Sequence, residues 1–260
     1  MARWVAGLDG CRGSWAGALI ELDDPGAWRV GLFPSIAALL DGPEALLAVG
    51  IDVPIGLPDR VSGGGRVADL AARAMLGPGG RASVFPVPPR SAVYAETYEA
   101  AKALSRAASD PPFAPSIQCW NILRYVREAD GLLRERPGLG RRLHEVHPEV
   151  AFRCLNGGRP LAGAKKGPAR QAGLDQRREL LAAAGLPPAL VGSDRPRGVG
   201  ADDHLDAMAG LVVARDILLG RAVPLPDPPG RDAYGLPVVI WAPASVPPGQ
   251  AAERDAMPSP

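Results

Sequence analysis

Two acidic residues stand where a purely structural residue is badly placed. Asp9 ends an apolar first strand predicted over residues 3–9, and Asp52 lies within the most apolar predicted strand, over residues 46–53. Functional groups of α/β sheets gather at the carboxyl ends of strands, so parallel neighbouring strands would bring both carboxylates to one edge. Two ionised carboxylates repel each other unless a cation or a proton lies between them. The pair therefore predicts a divalent metal ion, although Asp9 could simply open a turn.

A third group of acids opens the late segment ADDHLDAMAGLVVARDILLG, which contains Asp202, Asp203 and Asp206. Asp203 and Asp206 are three residues apart, so they share one face of the helix predicted from residue 202 or 203 to 219. That face continues with Gly210 and then apolar residues, which is typical of a face that packs on a sheet. The structural alternative makes Asp203 the N-cap and places Asp206 near the third helical position.

The segment EVHPE supplies further candidates in Glu145, His147 and Glu149. Glu149 falls at a predicted helix start, at the carboxyl end of a strand predicted over residues 143–147, where an acid also complements the helix dipole. His147 could equally be a hydrogen-bonded structural histidine. The sequence leaves the choice between Glu145 and Glu149 open.

Together these carboxylates could hold two divalent ions about 3.5–4 Å apart, an arrangement that stabilises both the attacking and the leaving oxygen in phosphoryl displacement. Carboxylate and water ligands suit Mg²⁺ or Mn²⁺ better than zinc. In this hypothesis Asp9 bridges both ions and Asp52 and Asp206 each hold one. Glu149 or Asp203 completes the ligand shell of an ion or orients a water molecule.

Basic residues are concentrated between positions 159 and 178, and they could contact phosphates or form a solvated loop. The six are Arg159, Lys165, Lys166, Arg170, Arg177 and Arg178. The adjacent pair Lys165–Lys166 stands out because the chain has only three lysines.

Composition narrows the class of protein. The chain has 260 residues and a net charge of +1, so nucleic-acid contacts must be local rather than driven by a global field. Three scattered cysteines exclude a disulfide framework and a CxxC zinc site. No stretch approaches the roughly 18 apolar residues of a membrane span. We therefore expect a cytoplasmic protein that contacts no membrane.

The element pattern predicts an α/β fold. Short strands over residues 3–9, 15–21 and 28–33 read as antiparallel partners, and the strand over 46–53 reads as a buried parallel one. A largely helical insertion follows over about residues 55–142, and then come further α/β units. We expect one domain over residues 1–242, followed by a Pro/Ala-rich tail over residues 243–260.

Seven segments resemble domain-of-unknown-function family 429, whose members are predicted nucleases of the ribonuclease-H-like class. The segments are GLDGCRGSW, IDVPIGLPD, GPGGRASVFPVPPR, QCWNILRYVREAD, EVHPEVAFRCLNGGRPLAGAKK, GADDHLDAMAG and GLPVVIW. The resemblance runs in order over residues 4–242. It implies a ribonuclease-H-like mixed sheet, with three antiparallel strands followed by parallel ones, and helices on both faces.

The same resemblance implies metal-dependent cleavage of nucleic acid. Asp9, Asp52, Glu149 and Asp206 fall on the family's acidic positions, and Arg90, Lys165 and Lys166 fall on its basic, substrate-binding positions. The chain departs from the family at Tyr125, where a lysine is usual. If that lysine binds phosphate, this contact is lost.

The sequence hypothesis is thus a Mg²⁺- or Mn²⁺-dependent hydrolase of nucleic-acid phosphodiesters, with DNA and RNA both open as substrate and a homodimer left open. Two alternatives remain: an ATP-dependent phosphotransferase of the actin and sugar-kinase superfold, and a non-catalytic nucleic-acid-binding protein. Asp9-Gly10 would face a nucleotide in the first alternative, whereas the near-zero net charge and Tyr125 favour the second.

Overall fold

Nine strands and nine α-helices occupy the part of the chain that the computed structural model describes, residues 2–163 and 169–243. The strands are β1 (Trp4–Cys11), β2 (Ser14–Glu21), β3 (Trp28–Phe33), β4 (Leu46–Ile51), β5 (Val61–Ser62), β6 (Ser109–Asp110), β7 (Leu143–Glu145), β8 (Val223–Arg231) and β9 (Pro237–Ala242). The helices are α1 (Ile36–Leu40), α2 (Val67–Gly80), α3 (Arg90–Val93), α4 (Tyr98–Ala107), α5 (Ile117–Glu135), α6 (Pro148–Leu155), α7 (Arg170–Ala183), α8 (Pro188–Val191) and α9 (Ala201–Leu218). Two 3₁₀ turns lie at Arg81–Ser83 and Pro137–Arg141.

A five-stranded mixed sheet forms the centre, in the order β3-β2-β1-β4-β7. Strands β1, β2 and β3 are antiparallel, whereas β4 runs parallel to β1 and β7 runs parallel to β4. The predicted α/β fold with three antiparallel strands followed by parallel ones is confirmed, and it is consistent with a ribonuclease-H-like fold. Two further two-stranded sheets are formed by β5-β6 and β8-β9, and a parallel bridge joins Trp241 of β9 to Val146, just after β7.

The two faces of the sheet carry separate cores because successive side chains of a strand point to opposite faces. On one face Leu8 and Ile51 pack with Leu123 and Val126 of α5. On the other, Val5 and Ala48 pack with apolar residues of α9. Helix α9 is buried along most of its length, and no helix among the described residues is both long and apolar enough to cross a membrane.

Three glycines set the distance between α9 and the sheet. A Cβ atom at Gly7 of β1 would lie 1.9 Å from the backbone oxygen of Ala207, and one at Gly50 of β4 would lie 2.3 Å from that of Gly210. Real Cβ atoms do not approach backbone so closely. The helix therefore rests directly on the backbone of β1 and β4, and the predicted packing of the Gly210 face on the sheet is confirmed.

The structure differs from the sequence expectations in three local details. Strand β4 ends at Ile51, so Asp52 follows the strand rather than lying within it. Helix α9 has Gly200 as its N-cap, and Asp203 is the third helical residue, whose side chain accepts the Gly200 N–H at 3.2 Å. Strand β8 was not expected, because its segment VPLPDPPGR contains four prolines. It forms only one ladder, whose register shifts between Leu225 and Gly230, and such places tolerate proline.

The glycine contact gives the first testable prediction. Gly7→Ala forces α9 away from β1 and lowers the free energy of unfolding by at least about 2 kcal/mol, as overpacking of a filled core does. Gly131→Ala, in the interior of α5 with open space around its Cα, is the matched control. This control variant gains about 0.5–1 kcal/mol from helix propensity. Urea unfolding of both variants measures the difference, and equal stabilities would contradict the packing described above.

Candidate functional site

Asp9 and Asp52 lie side by side at the carboxyl ends of β1 and β4. Leu8 and Ile51 are paired in the parallel register, and the Asp52 N–H donates to the Leu8 carbonyl at 3.1 Å. Both aspartates line one cavity of about 160 Å³, Asp9 largely buried and Asp52 partly so. The two strands are therefore the parallel neighbours on which the sequence hypothesis depended.

Asp206 lies at the same level, on the helix that covers this end of the sheet. Gly210 contacts Gly7 and Gly50, and Asp206 is one helical turn before Gly210, on the same face of α9. Asp9 and Asp52 are each two residues beyond those strand glycines, on the same face of the sheet. One helical turn rises about 5.4 Å and two strand residues rise about 6.6 Å. Because these lengths are nearly equal, Asp206 lies at the level of Asp9 and Asp52. Asp206 is 5% exposed and does not line the cavity.

The direction of α9 follows from contacts at the end of β1. The Cys11 thiol donates to the carbonyl of Gly198 at 3.6 Å, just before α9 begins. Burial, together with the nearby Asp203 carboxylate, raises the pKa of the Cys11 thiol to about 11. The amino end of α9 thus lies over the carboxyl end of β1, so Asp203 stands near the cavity but belongs to the helix cap.

A buried ion network on the other side of the cavity is built around Arg66. Its guanidinium donates to Asp69 at 2.7 Å and to Glu145 at 2.6 Å, and all three side chains are almost completely buried. Arg66 also donates to the carbonyl of Ile55, while the Ile55 N–H donates to Glu145 at 2.7 Å. The network therefore ties the segment after β4 to β7 and to the start of α2, and it fixes one wall of the cavity.

Burial affects the partners of this network in opposite ways. Burial opposes the charge of Arg66, but Glu145 and Asp69 outweigh it and raise the pKa of the guanidinium. Burial also raises the pKa of Glu145 to about 7, against the opposing effect of Arg66. Arg66 is accordingly a fixed cation, whereas Glu145 binds a proton more readily than an exposed glutamate does.

The described residues that line the cavity carry more acidic than basic groups. Four carboxyl groups stand beside one guanidinium, that of Arg66; the four are Asp9, Asp52, Asp69 and Glu145. Asp69 and Glu145 are engaged with Arg66. Across residues 2–163 and 169–243, no three His, Cys, Asp or Glu side chains are grouped as a ready set of metal ligands.

The remaining predicted acid, Glu149, is placed elsewhere. Its carboxylate pairs with the buried Arg177 of α7 at 2.8 Å and lines a separate cavity beside the turn at residues 77–83. Glu145, the alternative that the sequence left open, is the one that reaches the cavity of Asp9 and Asp52. His147 lines that cavity too, with its ring Nε2 3.4 Å from the carbonyl oxygen of Ser83.

Of the predicted substrate-binding residues, the structure describes Arg90, which does not line this cavity. Arg90 pairs with Asp130 of α5 at 2.5 Å and with Asp232 at 2.6 Å, and its side chain is only 11% exposed. It thereby holds the β8-β9 hairpin against α5, which is a structural role. Lys165 and Lys166 lie outside the described residues.

Tyr125 occupies a packing position beside Asp9. Its hydroxyl accepts the Gly13 N–H at 2.7 Å and its ring meets Trp15 edge-on at 4.9 Å. A Cβ at Gly10 would lie 3.2 Å from the same ring. The neighbouring Arg124 lies over the ring at 4.7 Å and donates to its hydroxyl. The tyrosine thus fixes the turn between β1 and β2.

The Arg66 network generates the second prediction. Arg66→Gln leaves Asp69 and Glu145 buried without their cation, so the free energy of unfolding falls by about 3–5 kcal/mol. Arg3→Gln is the matched control, since Arg3 makes a similar pair with Asp23 on the exposed surface and should have no measurable effect. Urea unfolding of the two variants at pH 8 checks this, and a stable Arg66→Gln variant would show that the network does not hold the cavity wall.

Comparison with known proteins agrees with the motif resemblance. No curated protein matches the chain, and no solved structure does. The model of the family described as "Protein of unknown function (DUF429)" matches residues 7–231, a range that contains Asp9, Asp52, Arg66, Glu145 and Asp206. On this match the chain belongs to the DUF429 family.

Proposed function

We propose that the protein is a divalent-cation-dependent hydrolase of nucleic-acid phosphodiester bonds and that Asp9 and Asp52 hold the cation. The observation that carries the proposal is the placement of these two carboxylates at the ends of adjacent parallel strands, in one cavity. Two carboxylates so placed can bind one cation between them.

The residues present fit Mg²⁺ or Mn²⁺ better than a metal that needs a protein cage. Mg²⁺ commonly binds through one or two carboxylates and completes its shell with water and substrate phosphate oxygens. Asp9 and Asp52 are the two carboxylates of the cavity that this proposal assigns to the ion. When bound with substrate, such an ion neutralises charge on the phosphoryl group and promotes attack by water.

The chain's own groups would position this chemistry. Asp9 and Asp52 bind the ion, and Asp206 adds negative charge at the same level from α9. Arg66 and Glu145 hold the backbone that follows Asp52, so the carboxylate of Asp52 stays at the strand end. Tyr125 fixes the turn that follows Asp9. The proposal gives Glu149 and Arg90 no part in binding the ion, since each has a buried or nearly buried partner elsewhere.

The size of the cavity separates this proposal from the phosphotransferase alternative. Pockets that enclose drug-sized ligands measure about 300–1,000 Å³. A cavity of about 160 Å³ is small for a nucleoside triphosphate but admits a hydrated ion and one phosphate group. The non-catalytic alternative differs from the proposal only in turnover, so an activity measurement decides between them.

The third prediction concerns activity. Cleavage of fluorescently labelled single-stranded DNA and RNA is measured with Mn²⁺, with Mg²⁺ and with EDTA. Asp9→Asn and Asp52→Asn each lower the rate at least about 100-fold, because several kcal/mol of transition-state stabilisation is lost with the ion. Glu96→Gln, which removes an exposed acid on the loop before α4, leaves the rate unchanged.

A stability readout keeps the test independent of the substrate chosen. Mn²⁺ raises the melting temperature of the wild type and of Glu96→Gln, because a ligand that binds the native state stabilises it. Asp9→Asn and Asp52→Asn lose the Mn²⁺ effect, because each removes a carboxylate that binds the ion. Cleavage or Mn²⁺ stabilisation that survives both substitutions would refute the proposal.

A further inference from the structure

A second cavity lies beside the amino end of α9 and is rich in basic and polar groups. It measures about 390 Å³ and lies between α7, α9 and the segment that follows α8. Its chemically important lining residues are Arg170, Arg178, Ser193, Arg195 and His204. Its described lining shares no residue with that of the candidate site, so it is a separate cavity.

The arginines of this cavity retain donors that the described structure does not use. One nitrogen of Arg178 donates to Asp175 at 2.8 Å, and its remaining nitrogens donate to no described residue. Arg195 is exposed, and its guanidinium donates to none of residues 2–163 and 169–243. Arg170 lies 3.9 Å from Asp202, a loose pair. Arg178 and Arg195 therefore face one cavity with donors that no described residue uses, and a guanidinium fork matches the geometry of phosphate oxygens.

A buried histidine stands among these guanidiniums. His204 is 7% exposed, and its Nε2 lies 3.3 Å from the Ser193 hydroxyl. Burial lowers the pKa of His204, and the charges of Arg178 and Arg195 lower it further. The imidazole thus lies next to positive charge, and both the Ser193 hydroxyl and the ring offer hydrogen bonds. An anion in this cavity would offset the cations and complete the set of partners.

We propose that this cavity binds a phosphate group and, resting on the proposed function, that the group belongs to the backbone of the bound nucleic acid. The cavity contains one carboxylate of its own, Asp194, and that residue is exposed. Arg178, Arg195 and the Ser193–His204 pair supply the donors, and Arg170 supplies a further charge at the rim.

The placement of the cavity agrees with a backbone phosphate near the candidate site. His204 and Ala201 line this cavity, whereas Asp203 and Asp206 are on the opposite side of the same helical turns. The diameter of a helix, about 10 Å, therefore separates the phosphate from the acids.

The fourth prediction is tested without turnover, in EDTA, so it does not depend on the nuclease assay. The probes are a fluorescein-labelled single-stranded DNA 12-mer, followed by anisotropy, and inorganic phosphate, followed by the histidine ring signals in NMR. The chain has only three histidines, so His204→Gln identifies the signal of interest. Phosphate is expected to shift the His204 signal and to raise the pKa of that ring, while the signals of His144 and His147 stay in place.

Arg178→Gln/Arg195→Gln should weaken 12-mer binding at least tenfold at 50 mM salt. It should also reduce the slope of log affinity against log salt by about 0.7, the value for one phosphate of a single strand. Arg3→Gln/Arg136→Gln removes the same charge from exposed pairs and should leave binding within twofold of the wild type. Arg195→Gln alone, at an exposed residue, repeats the test if the double variant does not fold.

Each result then has one meaning. If the Arg178→Gln/Arg195→Gln variant loses both the phosphate-induced shift of the His204 signal and the affinity for the 12-mer, the proposal is supported. If the double variant loses the phosphate-induced shift but binds the 12-mer as the wild type does, the cavity is a phosphate site. In that case its ligand is a free phosphate and not the nucleic-acid backbone. A His204 signal that phosphate does not move, or that moves equally in the double variant, overturns the site. If the protein binds the 12-mer in this way but does not cleave nucleic acid, the proposed nuclease activity is refuted and the proposed phosphate site is not.

Discussion

The contact between α9 and the backbone of β1 and β4 is the constraint on which the rest of the structure depends. Gly7, Gly50 and Gly210 let the helix approach until no side chain separates it from the sheet. At that distance the residue one turn before Gly210 must lie level with the residues two positions beyond the strand glycines, and all of these are aspartates. A packing requirement far from any polar group therefore brings Asp9, Asp52 and Asp206 to one end of the fold. The same contact fixes the first turn of α9, which separates the acidic cavity from the basic one.

Buried charge is a second constraint, and it acts on the cavity wall. Arg66 is completely buried with two carboxylates, so the group of three has one negative charge too many when both are ionised. Such a network adds little stability compared with apolar packing, but breaking it is costly because the remaining charges stay buried. Its use here is positional: it connects the segment after Asp52 to β7 and α2. The excess of acid that it leaves also adds to the negative potential around Asp9 and Asp52.

The sequence predicts those features that follow from strand ends and helix periodicity. Asp9 and Asp52 are found together because each ends an apolar run, and Asp206 is found because it heads a small and apolar helix face. The sequence does not predict features that depend on partners far away along the chain. Arg66 follows the segment SGGG, which reads as a flexible loop, and only the capping-box spacing from Arg66 to Asp69 hints at its role. Strand β8 is missed because its prolines argue against a strand until the register shift of the hairpin is known. Arg90 matches a basic family position, yet Asp130 and Asp232, its partners, are 40 and 142 residues away.

The two cavities explain how a chain of nearly neutral net charge could bind a polyanion at an acidic site. A phosphodiester backbone is repelled by Asp9 and Asp52 unless a cation accompanies it, so affinity must come from elsewhere on the surface. Arg170, Arg178 and Arg195 lie on the far side of the first turns of α9 from the acids. Under the two proposals, binding and chemistry would then rest on opposite faces of one helix. Substrate held by the basic face would bring its own phosphate oxygens to the acidic one, where they would complete the ligand shell of the ion.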